Sequence, residues 1–585
     1  MPWNQIIDPY KNIIVSALIA SMPVIFIFWS LLKKMKGYIT SLLALISAML
    51  IAVVTYHMPI QLVMLSTLHG ALYGLFPICW IIISAVFLFN VTVKSGQFEI
   101  IKDFMASITP DRRLQALLIA FSFGAFLEGA AGFGAPVAIS GAMLVGLGFN
   151  PLYAAGLCLI ANTAPVAFGS VGTPILMASR MSDIPELAIS QMVGRTLPIL
   201  SLLLPLYLVV LMSGFKKSVE VLPAIIVSGV SFAFVQWFTS NYMGPMLPDV
   251  LAGLASIFCL LFLLKYWKPK TIWRFKEEPA VQLDSTVKHP ALEILRAWSP
   301  FIIMTLFIVA WGLQPVKEVL NSIGFTKFQI PGLDGSILKP DGSVLAIKAF
   351  DFNYLSASGS AVVLATLLSI PLIGISFKES IKIFGATLKQ LLFPIITIAS
   401  IVGYAFVANY SGMSITMAFA LASTGALFPF FSPILGWLGV FLTGSDTSAN
   451  ALFSKIQSST ATTLGFDPVV AVGANASGGV TGKMISPQSI AVGAAAVGLI
   501  GKESDLFRFT FKHSFFMLFI ICVLTCLQVY VMKWIVPSYQ KIVVVGSSNK
   551  LDIPNNINQG CWYLSILALA VLLIILPLAI NKKSS

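Results

Sequence analysis

Leu147-Gly148-Phe149-Asn150-Pro151, trailed by Ala154 and Gly156, returns as Leu464-Gly465-Phe466-Asp467-Pro468 with Ala471 and Gly473. Three further words recur in the same order. Leu75-Phe76-Pro77-Ile78 returns as Leu392-Phe393-Pro394-Ile395, Ser95-Gly96 as Ser411-Gly412, and Phe126-Leu127-Glu128-Gly129 as Phe441-Leu442-Thr443-Gly444. The offset drifts only between 315 and 317 residues. One such match is within chance; the ordered set reads as an internal duplication. In a membrane chain, duplicated halves interrupted by Gly and Pro are the sequence mark of a secondary transporter.

Composition places the chain in a bilayer. Its 585 residues are 57% hydrophobic and 10% charged, with mean hydropathy +0.92. That leaves too little charge to clothe a soluble surface. Apolar runs near the ~20 residues that cross a bilayer recur throughout. Candidate spans are 13–32, 39–57, 72–93, 152–178, 190–213, 219–239, 248–265, 299–319, 354–376, 391–409, 468–497, 514–536 and 562–580. The first is followed by Lys33, Lys34 and Lys36 with no small-residue cleavage site, so it reads as a retained helix and not a signal peptide. A net charge of +13 would suggest nucleic acid in a soluble protein. Here the basic residues sit in short loops and mark topology, so no nucleic-acid partner is expected. The six cysteines form no CxxC pair, and packing is their expected role.

Two more apolar stretches, 114–148 and 433–464, carry charges and several glycines near their middles. They read as re-entrant helical hairpins that enter and leave by one face. Lys33/Lys34/Lys36, Lys94/Lys102/Arg112/Arg113, Lys216/Lys217, the segment Lys265 to Arg296, Lys378/Lys382/Lys389, Lys502/Arg508/Lys512 and Lys582/Lys583 fall on one side, which marks the cytoplasm. The N-terminus is then outside and the C-terminus inside. Leu75-Phe76-Pro77-Ile78 opens a helix running inward, and its copy opens one running outward, so the halves are inverted.

The fold expected is an all-α polytopic membrane protein of about 13 helices plus two re-entrant hairpins. Residues 1–240 form the first repeat, 241–298 the linking helix and a basic cytoplasmic loop, and 299–585 the second repeat. Parity requires 414–431 to lie along the outer interface, as amphipathic 97–109 lies along the inner one. Segment 320–353, with its turns Leu333-Asp334-Gly335-Ser336 and Pro340-Asp341-Gly342-Ser343, reads as an outer hairpin flap.

Charge inside hydrocarbon costs at least ~2.5–3.5 kcal/mol at a helix centre and marks function by default. Glu128, Asp446, Lys455 and Lys483 qualify. Glu128 and Asp446 occupy the same place in the two repeats, three residues out of register. A buried carboxyl can titrate, so proton carriage is the sharp reading; a structural ion pair or sodium coordination by Asp446 competes with it. Gly478-Gly479, Gly482 and Pro487 suggest a helix broken around Lys483, which would leave its ammonium for a substrate carboxylate. A salt bridge from Lys483 to Glu128 or Asp446 is the competing reading. The mirror segment, Ala161 to Pro174, is similarly broken but uncharged, and its polar groups can hold a carboxylate or hydroxyl. Arg180 and Arg195 read as snorkelling or as pairing with Asp183 and Glu186. Lys455 reads as snorkelling or substrate-binding. No metal spacing and no catalytic dyad appears, so neither metal, cofactor nor enzyme activity is expected.

At Glu128-Gly129-Ala130-Ala131-Gly132-Phe133-Gly134-Ala135-Pro136, Asn162-Thr163-Ala164-Pro165-Val166-Ala167-Phe168-Gly169, Gly444-Ser445-Asp446-Thr447-Ser448-Ala449-Asn450-Ala451-Leu452-Phe453 and Ser486-Pro487-Gln488, the chain resembles the lactate permease family. The resemblance runs from about residue 2 to 580. It implies proton symport of L-lactate, D-lactate and glycolate across the bacterial inner membrane by an elevator-type carrier, with dimers common among carriers of this layout. The substrate site would draw on Asn162, Thr163, Ser170, Thr173, Ser445, Thr447, Ser448, Lys483 and Ser486, with Glu128 and Asp446 coupling protons. The alternative is a sodium-coupled carrier of another small carboxylate or sulfonate.

Overall fold

Apolar backbone in hydrocarbon must satisfy its own hydrogen bonds, and helices do so within one segment. The computed structural model describes residues 2–32, 35–132, 134–275, 289–340, 342–345, 347 and 349–540, and it is helical almost throughout. Ten described helices are long and apolar enough to cross a membrane, eleven if the bent pair Pro151–Ala161 and Val166–Ser182 counts as one span. Two of the ten, Arg112–Ala130 and Gly425–Thr443, contain first limbs of the helical hairpins. The span expected at 562–580, with Lys582 and Lys583, lies outside the described residues, as does the middle of the loop 266–297, residues 276–288.

Element lengths pair along the chain. Ile60–Lys94 and Phe377–Ser411 are 35 residues each, with Pro77 and Pro394 at matching positions. Glu186–Ser213 and Glu503–Tyr530 are 28 residues each. Packing is reciprocal as well. Gly37–Val54 lies on Phe377–Ser411, while Ser358–Ile373 lies on the helix through Trp80–Lys94. Gly169–Ser182 lies on Asp446–Leu464, while Pro487–Ala496 lies on Ala135–Gly146. Such exchange, in which one surface meets the twin of its own partner, is the contact pattern of a twofold arrangement.

Several expected boundaries move. The third helix starts at Ile60 and not 72, and the helix expected at 391–409 starts at Phe377. In both, the hydropathy run marks only part of a longer helix. Residues 414–431 divide: Met413–Ala422 is a ten-residue helix, roughly 15 Å long and too short to cross. Phe428 then opens the second hairpin, five residues before the expected 433.

The larger correction concerns Lys483. Pro468–Lys483 is one continuous helix, and the break follows it at Met484–Ser486. The glycines are there for close approach. A Cβ on Gly478 would stand 2.1 Å from the Pro433 carbonyl oxygen, and one on Gly482 would stand 2.4 Å from that of Trp437. Small residues four apart let two helices in a membrane meet backbone to backbone. Gly478→Leu is accordingly expected to separate this helix from Phe428–Thr443 and to lower the thermal midpoint in detergent by several degrees, read by fluorescence-detected size exclusion; an unchanged midpoint would contradict the packing role.

Arg113 also departs from expectation. Taken as a loop charge marking topology, it is fully buried. Its guanidinium donates to Asp111 Oδ1 and Oδ2 at 3.1 and 2.7 Å, to the Lys217 and Thr271 carbonyls at 2.7 and 2.9 Å, and to Glu220 Oε2 at 2.9 Å. It therefore pins the base of the first hairpin to two loops.

In segment 320–353, Thr326–Phe328 pairs antiparallel with Phe350–Phe352, and Ile337–Leu338 pairs parallel with Trp3–Asn4. The flap is thus tied to the N-terminus, and an antiparallel bridge between Leu338 and Val344 makes a local hairpin about the second Gly turn; Asp341 lies outside the described residues.

Candidate functional site

Two helical hairpins and two helix ends meet at one buried centre. In the first hairpin, Arg112–Ala130 turns back into Ala135–Gly146, with Glu128 near the tip. In the second, Phe428–Thr443 turns at Gly444 into Asp446–Leu464. Glu128, Asp446 and Lys483 are 3%, 3% and 8% exposed. Lys483 Nζ donates to Glu128 Oε1 at 2.5 Å, so of the two sequence readings for this lysine the structure contains the ion pair. Glu128 Oε2 accepts no hydrogen bond. Both Lys483 and Glu128 are close enough to Asp446 to act on its charge.

Glycine makes room for these carboxyls. A Cβ on Gly169 would sit 2.6 Å from Glu128 Oε1, and one on Gly479 would sit 2.2 Å from Asp446 Oδ1. The Gly169 contact places the first broken helix against the first hairpin tip. Ser170 and Val171 there have left-handed φ angles of 47° and 57°, a costly conformation for residues with a Cβ. Ser170 Oγ donates to the Ala131 carbonyl at 3.0 Å, tying the two segments together.

The remaining expected residues divide by what they already hold. Thr173 and Thr447 hydroxyls lie 3.3 Å apart and bridge the broken helix to the second hairpin. Ser445 Oγ caps Asp446–Leu464 by accepting from the Ser448 N–H at 3.2 Å. Ser486 Oγ caps Pro487–Ala496 through the Ser489 N–H at 3.2 Å and donates to Ser489 Oγ. These serines shape helix ends. Asn162 Oδ1 and Thr163 Oγ1, by contrast, are buried with no partner. Buried polar atoms are seldom left so, and such orphans mark places where a ligand or water fits.

Sequence reading missed three features. Asp249, 1% exposed, opens the linking helix Pro248–Tyr266 beside Gly129. An acidic residue at a helix start is an ordinary favourable charge, so its position in the sequence does not single it out. Gln236 Nε2 donates to Asp249 Oδ1 at 3.3 Å and to the Ala164 carbonyl at 3.0 Å. Between the second hairpin and Pro468–Lys483, Asn450 Nδ2 donates to Asp446 Oδ2 at 3.3 Å, Asn475 Nδ2 to Asn450 Oδ1 at 2.9 Å, and Gln457 Nε2 to Asn475 Oδ1 at 3.2 Å. This chain of amides positions Asp446. Only the spacing of Asn450 four residues after Asp446 was visible beforehand.

The charges around Asp183 are engaged as follows. Asp183 pairs with Lys455 at 3.1 Å. Arg195 donates to Asn241 Oδ1 at 2.8 Å and to the Ile535 carbonyl at 2.7 Å. Arg180 lies over the Tyr73 ring, 5.4 Å from its centre, in a cavity of about 400 Å³ shared with His69, Asp183, Tyr410 and Lys455.

Comparison with known proteins gives one consistent picture. The family model described as L-lactate permease matches residues 16–532. A protein named L-lactate permease from Bacillus subtilis is 53% identical, covering 92% of this chain and 100% of that one. Its namesake from Escherichia coli is 49% identical over the same shares of 92% and 100%. Glycolate permease GlcA of Escherichia coli is 49% identical over 90% of this chain and 98% of its own. The solved structure of Neisseria gonorrhoeae MtrF, titled as an antimetabolite efflux pump, overlays with TM-score 0.42 at 15% identity, covering 79% of this chain and 83% of that one, and does not bear on the site. On the family match and these identities, the chain belongs to the L-lactate permease family of membrane transporters, which are not enzymes.

Proposed function

We propose that the chain imports small 2-hydroxymonocarboxylates (L-lactate, D-lactate and glycolate) in symport with protons across the bacterial inner membrane. The names of the relatives support the substrate class. The observation that carries the mechanism is the buried Lys483–Glu128 pair at the junction of hairpin tip and helix end. A substrate carboxylate competes with Glu128 for the Lys483 ammonium. Glu128, released, takes a proton, and the anion enters with its charge balanced. A buried ion pair tolerates this exchange because each partner keeps a counter-charge or loses its own. Asn162 and Thr163 receive the 2-hydroxyl, while the Thr447 and Ser448 side chains and the positive end of the Asp446–Leu464 dipole favour the carboxylate. Ser170, Thr173, Ser445 and Ser486 hold these segments in place, and Asp446 is a second coupling carboxyl.

In this reading the paired elements are inverted repeats, 1–240 and 299–585, separated by 241–298. The hairpins are re-entrant, the N-terminus is outside and the C-terminus cytoplasmic. The hairpins and broken helices slide as one body against the flanking helices, elevator fashion.

The test is uptake of labelled L-lactate, D-lactate and glycolate into proteoliposomes under proton and sodium gradients imposed separately. Accumulation driven by protons alone is the expected result; accumulation driven only by sodium overturns the coupling. Glu128→Gln is expected to abolish proton-driven accumulation while leaving substrate exchange. Full accumulation by that variant would remove Glu128 from the coupling step.

A further inference from the structure

The centre holds more negative groups than its lysine neutralises. Lys483 is spent on Glu128, yet Asp249 and Asp446 are buried beside that pair. Asp249 and Asp446 are equally bare, each with one amide bond of 3.3 Å and one oxygen without a partner, and Asp249 is the one that adjoins the first hairpin tip. On Asp249, Oδ1 has a single long bond of 3.3 Å from Gln236 Nε2, and Oδ2 has no partner. A Cβ on Gly129 would lie 2.9 Å from the Asp249 Cβ, so this carboxyl adjoins the residue next to Glu128. Among the described residues, the charged groups that act on it are Glu128, from the first hairpin, and Lys483. The other elements packed on the linking helix, residues 116–123 and Leu222–Tyr242, contribute no charged side chain toward it. An ionised carboxylate with this little hydrogen bonding is strongly disfavoured in a buried site, and a protonated one is not.

We propose that Asp249 is a proton-binding residue of the transport site that hands its proton to Glu128 when substrate arrives. The proposal rests on the symport reading above. Substrate draws Lys483 from Glu128, and the carboxylate so exposed takes the proton of Asp249. The O–H bond at Asp249 breaks as that at Glu128 forms. Asp249 is left ionised beside the Gln236 amide and regains a proton from water on the entry side. When substrate leaves on the other side, Lys483 rejoins Glu128, whose proton is released there. One proton crosses per substrate. Gln236 links this step to the broken helix, because the same amide nitrogen also donates to the Ala164 carbonyl next to Thr163.

The test uses the full chain in proteoliposomes, comparing wild type, Asp249→Asn and Asp249→Glu in proton-driven L-lactate accumulation and in lactate counterflow, which needs no net proton movement. For one proton per substrate, a one-unit pH gradient sustains at most about tenfold accumulation. Asp249→Asn is expected to lose that tenfold while retaining counterflow, with Asp249→Glu restoring accumulation. Wild-type accumulation by Asp249→Asn overturns the proposal. Loss of counterflow in both variants overturns it too, by assigning Asp249 a purely structural role. If wild type itself ignores the proton gradient, the symport reading falls first and takes this one with it.

Discussion

Lys483→Met is expected to reduce L-lactate uptake by at least about 100-fold, the largest functional effect of any single change in this chain. The methionine keeps the length and apolar stem of lysine but leaves Glu128 buried with no counter-charge. Breaking a buried ion pair from one side costs ~3–5 kcal/mol, where ~1.4 kcal/mol is tenfold. Part of the loss will therefore be lost fold, and a second variant separates the two. Glu128→Gln/Lys483→Met removes both charges and is expected to recover a monodisperse size-exclusion profile without recovering uptake. Transport by the double variant at near wild-type rates would show that the pair serves only the fold. Lys483→Arg is expected to fold yet transport poorly. A guanidinium is larger and carries its donors in a rigid plane, where Glu128 is now met by a compact ammonium.

The second large effect concerns stability. Arg113→Leu is expected to cost ~3–5 kcal/mol, because it strips the buried Asp111 of its partner at the foot of the first hairpin. Asp111 would keep only its N-terminal cap to the Arg113 N–H and its bond from the Trp273 N–H. The Lys217 and Thr271 carbonyls lose a donor at the same time. The measurement is yield and thermal midpoint of purified protein, with Lys216→Leu as the exposed-charge control. An Arg113→Leu protein with the wild-type midpoint would overturn the clamp. The same cluster gives a pH signature. Hydrogen bonds from Thr271, Lys217 and Arg113 hold the Glu220 carboxyl down at about 2, against an ordinary 4.5. A depressed carboxyl contributes its full stability above the ordinary value and loses it as pH falls through the lowered one. The thermal midpoint of wild type should accordingly fall between pH 4.5 and about 2, and that of Glu220→Gln should fall less over this interval.

The pairing of elements was the most legible part of the fold. One short word recurs in two stretches that the structure shows with matched lengths, Ile60–Lys94 and Phe377–Ser411; the equal lengths of Glu186–Ser213 and Glu503–Tyr530 carried no such word. Helix ends were less legible, because hydropathy locates the apolar middle and says nothing of amphipathic extensions such as Phe377–Gln390. Glycine was the chief source of error. Near Lys483 the same residue type that breaks a helix served to admit a neighbouring backbone, and no single-helix pattern distinguishes those uses. The site was half visible: Glu128, Asp446 and Lys483 stood out as charges in apolar runs. Asp249 did not, since its neighbours in sequence place it at a helix end and only the tertiary packing buries it. Arg113 was misjudged for the converse reason, a loop-like neighbourhood that the fold closes over.

The two 35-residue helical stretches differ in one respect that has a further consequence. Ile60–Lys94 is interrupted at Phe76, whose backbone is extended, whereas Phe377–Ser411 is continuous. At 1.5 Å per residue the latter is about 52 Å long, while the hydrocarbon layer is ~30 Å thick. Such a helix either leans steeply or projects well beyond the lipid, and it carries Pro394 at its middle where it can bend. It resembles an oblique strut whose slope follows the thickness of the sheet it braces. Acyl-chain length thereby becomes a variable of the molecule's shape, alongside the ligands and protons it handles.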